Sequence, residues 1–126
     1  MGKGDVTWKK NPEDVDYKAA SDFLNLLWPD ASARRLVRAL CKASTIERSA
    51  KDLLRAANLP LLERDDPHVE DDMDKIRKGK PMAPVLLIRG NIAKGSPLVI
   101  ADGYHRICAV CHFDEDAPIR CRIAGG

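Results

Sequence analysis

The sequence VIADGYHRICAVCH, residues 99–112, changes its hydrophobic pattern in the middle. Residues 97–101 form an apolar run that is typical of a strand buried on both faces. Residues 104–113 instead carry apolar positions at helical spacing. Gly103 stands at the change. The stretch therefore predicts a buried strand that turns through a glycine directly into a helix.

This turn has the features of an anion-binding site. The first N–H groups of a helix have no partner within the helix, and they lie at the positive end of its dipole. Gly103 permits a positive φ angle and a close approach of a ligand. His105 and Arg106 in the first turn could then bind phosphate oxygens. The alternative is structural: Asp102 caps the helix, Gly103 only turns the chain, and the two basic side chains are solvated or paired with the acidic loop 114–116.

The first half of the sequence has the pattern of helices. One helix is predicted after the Asn11-Pro12 pair, in which asparagine supplies the N-cap and proline the first helical position. A second is predicted from about Ser32 to Lys42. A third is predicted to begin at Ser44, because Ser44 and Glu47 have the spacing of a capping box.

The second half combines helix and strand patterns. A short helix is predicted to end at Gly79, and the continuous apolar run Val85–Ile88 predicts a second buried strand. The alternating residues Ile119–Ile123 predict a half-exposed strand. We therefore expect one α+β domain over residues 1–126. Its helical part, 1–59, is expected to pack on a small mixed β-sheet in an α/β part, 60–126.

Composition limits the classes of function. The 126 residues are 44% apolar and 32% charged, as in ordinary globular proteins, and the net charge of +2 does not require nucleic acid as a partner. The N-terminus lacks the order of a signal peptide, and no apolar run approaches the length of a membrane span. We expect a cytoplasmic protein without a membrane partner. Its cysteines are then expected to be reduced thiols: Cys41, Cys108, Cys111 and Cys121.

The pattern Cys108-Ala-Val-Cys111-His112 matches the attachment site of c-type haem. Haem attachment requires export, so we expect no haem. Zinc is a second alternative, in which Cys121 completes a set of three cysteines and one histidine. The favoured interpretation is structural: Cys108 and Cys111 are small apolar residues on the helix face that packs on the sheet, and we predict no metal ligands.

Two kinds of charged segment could bind partners other than the phosphate of a nucleotide. The basic side chains Arg34, Arg35, Arg38 and Lys42 form a stripe that could contact the backbone of DNA or RNA, or could simply be the solvated face of a helix. The acidic segments 65–66 and 70–72 could hold Mg²⁺ against a nucleotide. The favoured interpretation is structural: they are the acidic start of a helix, which the helix dipole stabilises.

Residues 60–124 resemble the ParB/sulfiredoxin superfamily. The resemblance lies in the strand 85–88 and in the segment 98–106, where a strand runs into a Gly-x-His-Arg turn that grips nucleotide phosphates in that superfamily. Residues 74–85 are similar to the ParB-like segment in which a short helix ends in glycine and leads through proline into a strand. The resemblance implies a nucleotide ligand such as ATP or CTP, with Mg²⁺.

The departures from the superfamily narrow what the resemblance implies. Sulfiredoxins have their catalytic cysteine where this chain has Tyr104, so the resemblance implies no sulfinic-acid reduction by that route. ParB proteins have Gly-Glu-Arg-Arg in the turn and a DNA-reading domain after it, whereas this chain ends at Gly126. The free-serine kinases of the superfamily use a glutamate base, for which Glu63 and Glu70 are the nearest candidates.

The leading functional prediction is a phosphate- or nucleotide-binding site in the turn. Asp102, His105 and Arg106 are the candidate catalytic residues, and Gly103 and Tyr104 would complete the binding site. Phosphoryl transfer or phosphodiester hydrolysis, as in an NTPase, a phosphotransferase or a nuclease, would be the reaction class. Whether the protein is an enzyme stays open. The alternative is a non-catalytic accessory module that docks to DNA or to a protein through its helical half.

Overall fold

A computed structural model describes residues 6–125, which form five α-helices and one four-stranded sheet. The predicted α+β class is therefore confirmed. The helices are α1 (Asp14–Leu24), α2 (Asp30–Lys42), α3 (Ala50–Ala57), α4 (Pro67–Arg77) and α5 (Tyr104–Phe113). The strands are β1 (Ile46–Ser49), β2 (Val85–Ile88), β3 (Val99–Asp102) and β4 (Pro118–Ala124), and a 3₁₀ turn covers Ile92–Lys94.

The sheet is mixed and has the strand order β1-β4-β2-β3. β4 runs parallel to β2, while the β1–β4 and β2–β3 pairs are antiparallel. In the parallel pair Val85 lies opposite Cys121, and Leu87 lies opposite Ile123. The strand nearest the C-terminus thus lies in the interior of the sheet, between one strand from each half of the chain.

Helices cover both faces of the sheet. α1 and α2 pack on one face, where Leu86 and Ile88 join an apolar cluster with Leu24 and Leu40. α3, α4 and α5 lie on the opposite face, where Val85 and Leu87 join the larger core. All four residues of β2 are buried, as predicted for a strand that is enclosed on both sides.

Two predicted helix starts are wrong. Residues 46–49, expected to open the third helix after a Ser44–Glu47 capping box, form β1 and pair with β4; the helix begins only at Ala50. The pairing with a distant strand outweighs the local capping signal. The first helix has Glu13 as its N-cap instead of Asn11. The Asn11 side chain instead accepts a hydrogen bond from Arg122 at 2.8 Å.

The prediction that the strand 119–123 is half-exposed holds only in part: Arg120 is exposed, but α2 covers the same face at Arg122. Arg122 on that face is only 9% exposed. Its guanidinium donates only to neutral groups among the described residues. These are the side-chain oxygens of Asn11, Tyr17 and Thr45 and the main-chain carbonyls of Leu40 and Cys41. Arg122 therefore binds carbonyls in the last turn of α2, where a cation is favoured.

Candidate functional site

The turn between β3 and α5 has the predicted order of strand, glycine and helix. Gly103 is the N-cap of α5 and has a φ of 105°, which disfavours any residue with a Cβ. A Cβ at this position would overlap Val85 Cγ1 and would lie only 2.8 Å from Val85 Cβ. The glycine is thus required by the packing of the turn on β2, whether or not a ligand approaches it.

The amide groups at the start of α5 are available. The first hydrogen bond within the helix runs from the Ile107 N–H to the Gly103 carbonyl, at 3.0 Å. The N–H groups of Tyr104, His105 and Arg106 precede it, and no side chain caps this helix. At α4, by contrast, Asp66 accepts hydrogen bonds from the first-turn N–H groups. Those bonds lower the pKa of Asp66.

Arg106 points back into the protein. Its Nη2 lies 2.5 Å from an Asp102 carboxylate oxygen and 3.3 Å from one of Asp16, and its Nη1 donates to the Ala83 carbonyl at 2.5 Å. The side chain is only 13% exposed. Arg106 therefore joins α1, β3 and the segment before β2, and two carboxylates already compensate its charge.

The Asp16 carboxylate affects the pKa of Asp102, its neighbour at Arg106. Burial raises the pKa of Asp102 to about 6, an effect that Arg106 opposes and the neighbouring Asp16 increases. Sequence reasoning did not single out Asp16, because an acid in the first turn of a helix is explained by capping alone. Asp16 does accept the Glu13 N–H at 2.8 Å, so it performs both roles.

A polar cleft of about 220 Å³ opens beside the turn, between α4 and the N-terminal turn of α5. The rings of His68, in the first turn of α4, and His105 lie with their centroids 4.8 Å apart. The residues lining the cleft are His68, Asp71, Asp72, Lys75, Asp102, Gly103, His105 and Arg106. The structure thus brings four of the five residues predicted for the site, all but Tyr104, to one cleft.

The charges around this cleft are mixed. Lys75 Nζ lies 3.6 Å from a carboxylate oxygen of Asp71 and 3.8 Å from one of Asp72. Burial raises the pKa of Asp72, and Lys75 and Arg106 oppose that shift. Asp102 and Asp16 hold Arg106, and Asp71 and Asp72 lie near Lys75, so an anion in the cleft could meet the two histidines and a lysine whose charge is partly compensated.

The Tyr104 hydroxyl makes a contact that the sequence did not predict. Its hydroxyl donates to the Pro60 carbonyl at 2.5 Å. Two turns further along α5, His112 Nε2 lies 2.6 Å from the Leu62 carbonyl, so this nitrogen carries the proton and donates. Arg64 in turn donates to the His112 carbonyl. One face of α5 therefore anchors the extended segment 60–64.

This anchoring gives the histidine of the Cys-x-x-Cys-His pattern a structural role. His112 is engaged with the Leu62 carbonyl, and Cys108 is fully buried in the core. Burial raises the pKa of Cys108 and raises that of Cys121 to about 11, as expected for thiols that pack as small apolar side chains. Within residues 6–125, no three His, Cys, Asp or Glu side chains gather in a way that could hold a metal ion.

Comparisons of the chain with protein-family models, with curated proteins and with solved structures found no match. The resemblance to the ParB/sulfiredoxin superfamily therefore stays a prediction. Between residues 6 and 125, none of the helices combines the length and the apolar character needed to cross a membrane.

Proposed function

We propose that the protein binds the phosphate group of a nucleotide or of another phosphorylated ligand at the N-terminus of α5. One observation carries the proposal: the start of α5, which has no side-chain cap, lines a polar cleft together with His68 and Lys75. Amide donors at the positive end of a helix dipole, together with basic side chains, form the usual environment of a bound phosphate.

The residues divide into two roles in this proposal. The α5 amides, His105, His68 and Lys75 would contact the phosphate oxygens. Arg106 would hold the turn in place through its bonds to Asp102 and the Ala83 carbonyl, instead of gripping the ligand. This differs from the superfamily resemblance, which implies that the arginine itself binds phosphate.

The size of the cleft limits what enters it. Its volume of about 220 Å³ is below the range of about 300–1,000 Å³ that is typical of small-molecule pockets. We therefore propose that a phosphate enters while a nucleoside stays outside.

Asp71 and Asp72 line the same cleft and could hold Mg²⁺, which would neutralise part of the phosphate charge. A reaction at the site would be phosphoryl transfer or hydrolysis, and ATP or CTP are the ligands that the resemblance suggests.

Isothermal titration calorimetry can test this proposal. ATP, CTP, GTP and inorganic phosphate would each be titrated with and without Mg²⁺. Because charge-assisted bonds are lost, we expect Lys75→Ala and His105→Ala to weaken binding about ten-fold. Lys78→Ala is the matched control, because Lys78 is an exposed lysine just after α4 that does not line the cleft. Absence of binding, or equal binding by all three variants, would contradict the proposal.

A second candidate function rests on the charge of α2. This helix contains four basic residues and one acidic residue, a net +3, whereas the whole chain carries +2; the rest therefore carries a net −1. All four basic side chains belong to exposed residues: Arg34, Arg35, Arg38 and Lys42. We propose this face as the contact for a DNA backbone if the protein is an accessory module.

Salt dependence distinguishes the two functions. Binding of a DNA duplex through α2 should weaken steeply as salt rises, and Arg35→Gln combined with Arg38→Gln should reduce the slope by about two. Lys75→Ala should leave that binding unchanged. If the duplex does not bind at low salt, the accessory role through DNA is excluded.

A further inference from the structure

We infer that a groove between the end of α3 and the loop joining β2 to β3 binds an amphiphilic organic anion, with the apolar part of the ligand over Ile92 and its acidic group at Arg89. The groove has a volume of about 850 Å³ and shares no lining residue with the cleft at α5. We call it the hairpin groove. Its lining residues are Arg55, Ala56, Asn58, Arg89, Gly90, Asn91, Ile92, Gly95, Ser96, Pro97 and Leu98.

The walls of the hairpin groove are formed before any ligand binds. The Leu98 N–H donates to the Ala56 carbonyl at 3.0 Å, which fixes the loop to the end of α3. Within the loop, Asn91 and Ser96 exchange two main-chain hydrogen bonds, of 2.8 and 2.9 Å. The ordering cost that a flexible loop would impose on binding is therefore reduced.

The charge of the groove points to an anion. Arg55 and Arg89 both line it, and none of its described lining residues is acidic. Arg55 is 3.3 Å from Asp52 on its own helix, so its charge is partly compensated. Arg89 has no such ion pair among the described residues, and it is exposed. We therefore place the acidic group of the ligand at Arg89.

The apolar residues of the groove indicate that the rest of the ligand is apolar. Ile92 is 98% exposed, the highest value among the described large apolar residues, and it lies in a groove that Pro97 and Leu98 also line. A ligand that covers this side chain would remove its apolar surface from water. The volume lies within the usual range for small-molecule sites. Asn58, Asn91 and Ser96 add polar groups that could orient the ligand.

The carboxylate of a fatty acid and the phosphate of an alkyl phosphate share this chemistry, so the test uses both. Octanoate, octyl phosphate and octyltrimethylammonium would each be titrated into ¹⁵N-labelled full-length protein below their micelle concentrations, with amide chemical shifts as the readout. We expect the two anions to give saturable shifts in residues 55–58 and 89–98, with little change in α2. The preferred anion identifies which of the two acidic groups the groove takes.

Variants separate the charge from the apolar contact. We expect the anions to bind Arg89→Glu at least about ten-fold more weakly than wild type, because a charge-assisted bond is lost. Loss of apolar contact predicts weaker binding to Ile92→Ser by about five-fold or more. Lys94→Glu is the matched control, since Lys94 is an exposed cation on the same loop that does not line the groove. Its affinity should stay within about two-fold of wild type.

The inference is overturned by any of three results. The first is that neither anion gives a saturable shift. The second is that octyltrimethylammonium binds as tightly as the anions, which would show an apolar surface without charge selection. The third is that Arg89→Glu and Lys94→Glu weaken binding equally, which would show a general effect of net charge.

Discussion

The Asp102 carboxylate lies 2.5 Å from the guanidinium of Arg106, four residues further along the chain. This ion pair joins the last residue of β3 to the first turn of α5, across the glycine that separates them. Asp16 on α1 shares the same guanidinium. The turn that the sequence predicts as a ligand site is therefore also a structural junction of three elements.

Replacing Asp102 should change how stability depends on pH. The pKa of Asp102 is about 6 in the folded protein, against an ordinary value of 3.8. The folded state therefore holds this proton more tightly, and stability contributed by the protonated form is lost as pH rises from about 4 to about 6. In Asp102→Asn this loss, at most about 3 kcal/mol, should be absent.

Urea unfolding at pH 4, 5, 6 and 7 would measure the effect. The free energy of unfolding of Asp102→Asn should increase relative to that of wild type as pH rises across this range, so the variant gains relative stability. Asp65→Asn, which changes an exposed aspartate outside the junction, should follow the wild-type curve. A parallel pH dependence in wild type and Asp102→Asn would contradict the assignment of the shift to Asp102.

Alanine at Gly103 should destabilise the protein more than alanine at Gly79. Both glycines have positive φ angles, 105° and 71°, but only at Gly103 would the new Cβ overlap Val85. We expect a loss of about 1 kcal/mol for Gly79→Ala and of about 3 kcal/mol or more for Gly103→Ala. Chemical denaturation of the two variants makes the comparison, and equal losses would show that the turn can shift away from β2.

Methionine at Arg122 should be strongly destabilising. The substitution removes all hydrogen bonds of the buried guanidinium, which joins Asn11, Tyr17 and Thr45 to the end of α2. We expect a loss of about 3 kcal/mol, because a hydrogen bond to a charged group contributes about 1.5–3 kcal/mol. Arg120→Met, two residues earlier on an exposed position, should change the unfolding free energy by less than about 1 kcal/mol. Similar losses in both variants would mean that the hydrogen bonds of Arg122 contribute no more to stability than the exposed side chain of Arg120 does.

Removing the Tyr104 hydroxyl should loosen the segment 60–64. In Tyr104→Phe the hydrogen bond to the Pro60 carbonyl is lost, at a cost of about 1 kcal/mol. Hydrogen exchange of amides 61–64 should speed up, while that of β2 should change only by the overall loss of stability. If exchange in 61–64 is unaltered, the contacts made by His112 and Arg64 suffice to hold the segment.

Local patterns predicted much of the fold. The apolar runs at 85–88 and 99–101 each predicted a buried strand, since a continuous apolar stretch between turn residues must be covered on both faces. The helix 104–113 followed from its spacing and from Gly103. β1 was missed because Ile46–Ser49 is too short to show a period, and its partner lies about seventy residues away in the sequence.

The candidate site was predicted in part. Asp102, Gly103, His105 and Arg106 line one cleft because they are neighbours in the sequence. His68 and Lys75 reach the same cleft only through the packing of α4 on α5. Asp16 reaches Arg106 across 90 positions of sequence. No local pattern encodes such an approach, so the pairing of Arg106 with carboxylates could not be foreseen.

The place of β4 in the sheet has a consequence for synthesis. β4 is the strand nearest the C-terminus, yet it separates β1 from β2 and pairs with both. Until residues 118–124 have emerged from the ribosome, β2 and β3 can pair only with each other. During that time β1 has no strand to pair with, and its exposed edge can pair with other chains. Completion of the sheet is thus deferred until this last strand has left the exit tunnel.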